Sequence, residues 1–153
     1  MEDATQPDGR LSDLLSASFA RVVGRPLIAS GSGSASLYGA PFAVLAHGTG
    51  PDPTFIYANR AAQRLFGYDW DEFVETRSRL SAPPMDRAER EVLLGAVTQR
   101  GFVEDYSGVR ISSSGRLFRI ERAVVWQLWD DDGVLRGQGA AFDSWSDVHP
   151  SGS

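Results

Sequence analysis

Phe55-Ile56-Tyr57-Ala58-Asn59-Arg60-Ala61-Ala62-Gln63-Arg64-Leu65-Phe66-Gly67-Tyr68 is the stretch from which the fold can be read. Its opening is aromatic and β-branched, the composition of a strand. Asn59 then suits a helix N-cap, because its short side chain accepts a hydrogen bond from an otherwise unpaired N–H of the first turn. Ala61, Ala62, Leu65 and Phe66 follow at helical spacing, and Gly67 supplies the stop. Two residues on, Asp69 and Glu72 stand at capping-box spacing and open a second short helix through Trp70 and Phe73.

Upstream, Phe42–His47 and Thr54–Ala58 read as two strands joined by Gly48-Thr49-Gly50-Pro51-Asp52-Pro53. Earlier still, Leu11, Leu14, Leu15, Phe19, Val22 and Val23 recur at three- and four-residue steps and make one apolar helical stripe, which Gly24-Arg25-Pro26 ends. Ser30-Gly31-Ser32-Gly33-Ser34 has the composition of a flexible linker.

Downstream of Pro83-Pro84, Asp86 and Glu89 repeat the capping-box spacing. They start the longest helix, with an expected stripe of Ala88, Val92, Leu93, Ala96 and Val97 and a stop at Gly101. The remainder is strand and turn: Tyr106–Ser112, then Leu117–Trp129, then Val134–Phe142. The order β-β-α-α-α-β-β-β predicts an α+β domain with a five-stranded antiparallel sheet, helices on one face, and an added N-terminal amphipathic helix. The expected division is a disordered start over 1–10, helix and linker over 11–36, the domain over 37–145, and a polar tail over 146–153.

The chain has 153 residues, with 42 % apolar and 23 % charged. That suffices for one domain with a real core. Fifteen basic and twenty acidic residues leave a net charge of −5, which speaks against nucleic acid and anionic membrane as partners. There is no cysteine, so disulfides, thiolate metal sites, thiol nucleophiles and a cysteinyl–flavin adduct are excluded. There is no lysine either, which removes Schiff-base and P-loop chemistry. The longest apolar run, Ala40 to Ala46, is far short of a membrane span. The start, Met1-Glu2-Asp3-Ala4, lacks the order of a signal peptide, so the expected location is the cytoplasm.

With these elements in place, Phe55–Tyr68 followed by Trp70-Asp71-Glu72-Phe73 resembles the strand–Asn–helix–Gly-Tyr segment of PAS domains. Ser78-Arg79-Leu80-Ser81-Ala82, Arg87-Ala88-Glu89-Arg90, Asp105 to Ile111, Gly115 to Ile120, Val125-Trp126 and Gly137-Gln138 are similar to the MEKHLA family, a PAS-related group. The resemblance runs from about Leu11 to Trp145. It implies a PAS-like fold and a sensory or regulatory role, without an established reaction or agreed ligand.

Enzyme signatures are missing: the serines among glycines form no nucleophile elbow, and Gly31-Ser32-Gly33 forms no dinucleotide loop. Asp130-Asp131-Asp132-Gly133 lacks the ligand spacing of a calcium loop and reads as a hairpin turn. His47 could ligate haem iron through its imidazole, but a solvent-facing or turn-stabilising histidine is the default.

The aromatic set Tyr57, Phe66, Trp70, Phe73, Phe118 and Trp126, with Phe42, is either a plain core or the lining of a small-molecule pocket. The small residues of the last strand, Gly137, Gly139, Ala140 and Ala141, would leave volume unfilled or let a helix approach. Arg79 flanks the Ser-Ala-Pro-Pro turn and is a candidate anion contact. Arg122 falls on the Phe118/Ile120/Val124/Trp126 face if strand alternation is unbroken, whereas a bulge near Ala123 would turn it outward.

The leading helix either pairs with its twin, through Leu11, Leu15, Phe19, Val22 and Trp129, or folds back on its own sheet, where Leu117, Val125 and Trp129 are expected to form the landing patch. These features favour a sensory or regulatory module that binds a small molecule or a protein partner, forms a homodimer and signals by association. The alternatives are a ligand-free interaction domain and, third, a small-molecule enzyme on the same scaffold.

Overall fold

The computed structural model describes residues 9–27 and 37–148. The expected disordered start, Gly/Ser linker and polar tail fall largely outside the described residues. Helix α1 spans Gly9–Val23, β1 Ala43–His47, β2 Phe55–Ala58, α2 Arg60–Phe66 and α3 Trp70–Phe73. Two 3-10 turns, Ser78–Ser81 and Pro84–Asp86, lead into α4, Arg87–Arg100. Then come β3 Phe102–Ile111, β4 Leu117–Trp129, β5 Leu135–Phe142 and a short β6, Ser144–Asp147.

The five long strands lie in the order β2-β1-β5-β4-β3, all neighbours antiparallel. The unexpected sixth strand shares one edge of β4 with β5: β5 takes Val124–Trp129 and β6 takes Phe118–Glu121. The interruption falls at Arg122, whose φ of 53° is left-handed.

Local signals were honoured at most positions. Asn59 caps α2 by accepting from Ala62 N, and Asp69 with Glu72 forms a complete capping box on α3. The turn at Asp130 closes through that carboxylate, which accepts from the N–H groups of Asp132 and Val134. The Asp86/Glu89 expectation fails. Asp86 sits at φ −105°, ψ 1°, the end of a 3-10 turn rather than the extended backbone of a cap, and makes no capping bond.

Both sheet faces are covered, which produces two cores. The inner one packs Leu45, Phe55, Phe66, Phe73, Phe118 and Ile120 with Leu93 and Val97 of α4. The outer one packs Leu15 and Phe19 of α1 onto Val44, Tyr57, Trp126 and Leu128. The stripe of α4 is therefore Arg90, Leu93 and Val97; Ala88 and Val92 face solvent.

Two bulges assign residues to these cores. Across β3 and β4, Tyr106 pairs Ala123 while Gly108 pairs Ile120, so β4 carries one extra residue around Arg122. A one-residue slip turns every later side chain over. Hence Phe118 and Ile120 point inward together with Ala123 and Val125, while Val124, Trp126 and Leu128 point outward. Val125 is thus not part of the landing patch for α1. A second slip between Ala46 and His47 pairs Tyr57 with Ala46 and Phe55 with His47. It sends Tyr57 outward and Phe55 inward.

Candidate functional site

Between the inner sheet face and α4 lies a cavity of about 60 Å³. This is several times the space one water needs. Leu45, Phe55, Phe66, Leu93, Ile120 and Val125 supply its apolar walls. Its polar groups come from five elements: His47 of β1, Ser78 and Ser81 of the first 3-10 turn, Arg90 of α4, Tyr106 and Arg110 of β3, and Gln138 of β5. No carboxylate lines it among the described residues.

Strand periodicity places most of these groups. His47 follows Ala43 and Leu45 on the inward side of β1. In register it faces Gln138, which in turn faces Gln127, so a polar row crosses three adjacent strands. Gln138 Nε2 donates to Gln127 Oε1 at 2.7 Å, and at longer range to Leu94 O and Thr98 Oγ1 of α4. His47 Nδ1 lies 2.9 Å from Gly48 O. A carbonyl only accepts, so Nδ1 holds the proton. Nε2 of His47 and Oε1 of Gln138 are buried with no hydrogen-bond partner among the described residues. Burial, and less strongly the charge of Arg90, pulls the His47 imidazole below its ordinary range.

On β3, Tyr106 and Arg110 stand four residues apart on one face, with Gly108 between them. A Cβ at Gly108 would lie 2.1 Å from the Tyr106 hydroxyl, so the missing side chain lets the ring lie over the strand. That hydroxyl donates to Glu89 Oε1 at 2.9 Å and accepts from Arg110 Nη2 at 3.1 Å. Burial raises the Tyr106 phenol, an effect that Arg110 opposes. Arg90 donates from Nη2 to Ser78 Oγ and from Nη1 to Glu91 Oε2 at 2.8 Å. Burial and then the nearby charge of Arg110 draw Arg90 below its usual range.

The residues singled out from sequence fall into three places. Phe66 lines the cavity, and Phe73 and Phe118 stand edge-on to it from behind, with ring centres 5.6 and 5.1 Å away. Tyr57, Trp70 and Trp126 belong to the outer core: Trp126 meets Phe19 edge-on at 4.8 Å, and Tyr57 meets Trp70 at 5.8 Å. Burial pushes the Tyr57 phenol up to about 12, and its oxygen accepts from Ser12 of α1.

The two arginines stand at the surface. Arg79 is exposed and paired with Asp52 at 3.0 Å, and Arg122 is exposed, turned out by its bulge. Leu15 and Phe19 of α1 are buried on the chain's own sheet, flanked by half-buried Leu11 and Val22.

Of the two default readings of His47, solvent-facing or turn-stabilising, the second describes its contact with Gly48 O, while the ring itself lines the cavity. Arg90, Tyr106, Ser78 and Gln138 carry no pocket signal in the sequence. Positions 90, 93, 94 and 97 do form a regular helical stripe, but an arginine at its head looks like solvated surface until a cavity is seen behind it.

Comparison with known structures places this architecture. A PAS domain from Colwellia psychrerythraea superposes with TM-score 0.63 at 14 % identity, over 75 % of this chain and 92 % of that one. A light-oxygen-voltage domain studied with a flavin analogue gives 0.59 at 17 %, over 76 % and 84 %. A PAS domain from a two-component sensor histidine kinase gives 0.56 at 20 %, over 73 % and 89 %. The fold is that of PAS domains. No curated protein matches the chain in sequence. Residues 9–147 match the family model of the MEKHLA domain.

Proposed function

From the premise that this chain belongs to the MEKHLA-domain family, we propose that it is a cytoplasmic PAS-like sensory or regulatory module that binds a small molecule in the inner cavity. The observation that carries this reading is the cavity itself, with two unpartnered buried polar atoms in its walls, His47 Nε2 and Gln138 Oε1. Unpaired polar atoms cost free energy that a fitting ligand returns. Binding rather than catalysis fits the lining, which holds one neutral imidazole and no carboxylate to act beside it. About 60 Å³ admits a few non-hydrogen atoms, so neither a haem nor a flavin ring system fits the cavity.

Output runs through α1. Gly139 borders the cavity, and a Cβ there would come within 2.8 Å of Leu15, so the strand that senses occupancy touches the helix directly. The receiver is a second copy of the chain, in a homodimer, or a separate protein partner. Nucleic acid is disfavoured by the net charge of −5. No helix among the described residues is long and apolar enough to cross a membrane.

Native mass spectrometry of freshly purified protein tests this, with Leu93→Trp as a cavity-filled control. A stoichiometric added mass on the wild type, absent from a folded Leu93→Trp, supports the reading. A clean mass, together with no thermal shift from a panel of small metabolites, overturns it. That outcome favours the ligand-free interaction module, for which the exposed Leu80, Met85 and Val92 are the contact candidates.

A further inference from the structure

The cavity is charged on one side only. Arg90 and Arg110 are 4 % and 7 % exposed, and both line it. Burying a guanidinium is costly unless a counter-charge comes with it. The carboxylates that could serve are elsewhere. Glu91 pairs with Arg90, but its side chain is 68 % exposed. Glu89 is exposed too, and meets the phenol of Tyr106 rather than a guanidinium.

Arg110 has still less. Its Nη1 donates to the neighbouring Val109 carbonyl and its Nη2 to the Tyr106 hydroxyl, with the guanidinium 5.6 Å over that ring. Both partners are neutral, and no ion pair of Arg110 occurs among the described residues. Each arginine thus keeps N–H donors to spare beside a space without a negative charge.

A second space lies against the cavity. An outer hollow of about 360 Å³, bordered by Gly48, Thr49 and Glu91, shares His47, Arg90, Leu94 and Gln138 with the cavity. These four side chains are the wall between the two spaces. The Arg90–Glu91 pair sits in that wall, so an entering anion can take over the Arg90 donors that Glu91 holds.

Resting on the reading that the cavity takes a ligand, we propose that the ligand is a small carboxylate anion held between the guanidinium groups of Arg90 and Arg110. The planar fork of each arginine matches a carboxylate, and the cavity volume limits the ligand to a few carbons. Apolar walls from Leu45, Phe55 and Leu93 take its carbon end.

The test compares acetate with acetamide, which matches it in shape but carries no charge, at constant ionic strength. Malonate and inorganic phosphate extend the panel, read by calorimetry and thermal shift. Acetate or malonate should bind saturably and acetamide should not. Arg110→Gln should weaken carboxylate binding about tenfold or more, the range for a charged hydrogen-bonded partner. Arg90→Gln, which removes the other guanidinium, should weaken carboxylate binding in the same direction.

Without ligand, Arg110→Gln should melt no lower than the wild type, because it removes an uncompensated buried charge. A clear loss of apo stability would mean that Arg110 is already paired, and would overturn the proposal. Binding of phosphate in place of carboxylates would overturn the assigned class. If a neutral metabolite binds and Leu93→Trp blocks it, the cavity reading stands while the anion proposal falls. If nothing binds to any form, both fall.

Discussion

Ser18 and Trp129 are joined by a reciprocal pair of hydrogen bonds: the Ser18 hydroxyl donates to Trp129 O at 2.7 Å and accepts from Trp129 N at 2.8 Å. One side chain of α1 thereby serves both backbone groups of a strand residue, at the point where the β4–β5 register shifts between Leu128 and Trp129. The helix is held by a directed contact as well as by its apolar stripe. This is why α1 has one seat on the sheet rather than a range of positions.

Ser18→Ala should therefore destabilise by about 1–3 kcal/mol, since it leaves two partly buried backbone groups without their partner. Urea unfolding measures the loss, and limited proteolysis within α1 should become faster. An unchanged midpoint would show that solvent replaces the hydroxyl at no cost.

Trp126 is fully buried beneath Phe19, yet its indole N–H has no hydrogen-bond partner among the described residues. Trp126→Ala should cost about 3–5 kcal/mol. Trp126→Phe, which gives up less volume and no hydrogen bond, should cost clearly less than Trp126→Ala. Light scattering on Phe19→Asp separates the roles of α1. A monomeric wild type of reduced stability on mutation fits a helix that only covers its own sheet; a dimer that dissociates on mutation places α1 in the interface as well.

Asn59 closes four bonds at once. Its Oδ1 accepts from Val44 N and Ala62 N, and its Nδ2 donates to Leu37 O and Phe42 O. Asn59→Ala removes a cap and strands buried groups around the start of β1, for an expected loss of about 3–5 kcal/mol. Asn59→Asp keeps the acceptors but turns two donated bonds into repulsive contacts, and should be comparably damaging. Chemical denaturation of both variants checks this.

His47 makes stability depend on pH with a definite sign. Its folded-state imidazole is depressed, chiefly by burial, with Arg90 adding to the effect and the Gly48 carbonyl, then Gln138 and Glu91, opposing it. Below about pH 6.5 the unfolded chain takes up a proton that the folded one resists, so stability falls as pH drops from there towards the folded value. Above that range the contribution is fully present. The melting temperature should decline between pH 7 and 5, and His47→Gln should flatten the decline. A parallel curve for the variant would assign the dependence to other groups.

Most local features were legible from sequence. The order of elements as far as β5, the cap at Asn59, the box at Asp69–Glu72 and the turn at Asp130–Gly133 all follow from interactions within a few residues, which is the range composition and spacing report. The same spacing at Asp86–Glu89 forms no box, because a 3-10 turn holds Asp86 away from the extended cap conformation. The apolar stripe of α1 was equally legible, because 3.6-residue periodicity survives whatever surface the helix meets.

Tertiary structure decided which face each strand residue takes and which polar groups are buried. The bulge at Arg122 has no local signature, since a non-glycine residue adopts φ 53° only when its neighbours on β3, β5 and β6 over-determine it. One such slip moved Trp126 from the expected pocket to the underside of α1. The burial of Arg90 and Arg110 is not legible in the sequence for the same kind of reason. A guanidinium is placed by its surroundings, and here those surroundings, Ser78, Tyr106 and the inner sheet face, come from parts of the chain that meet only on folding.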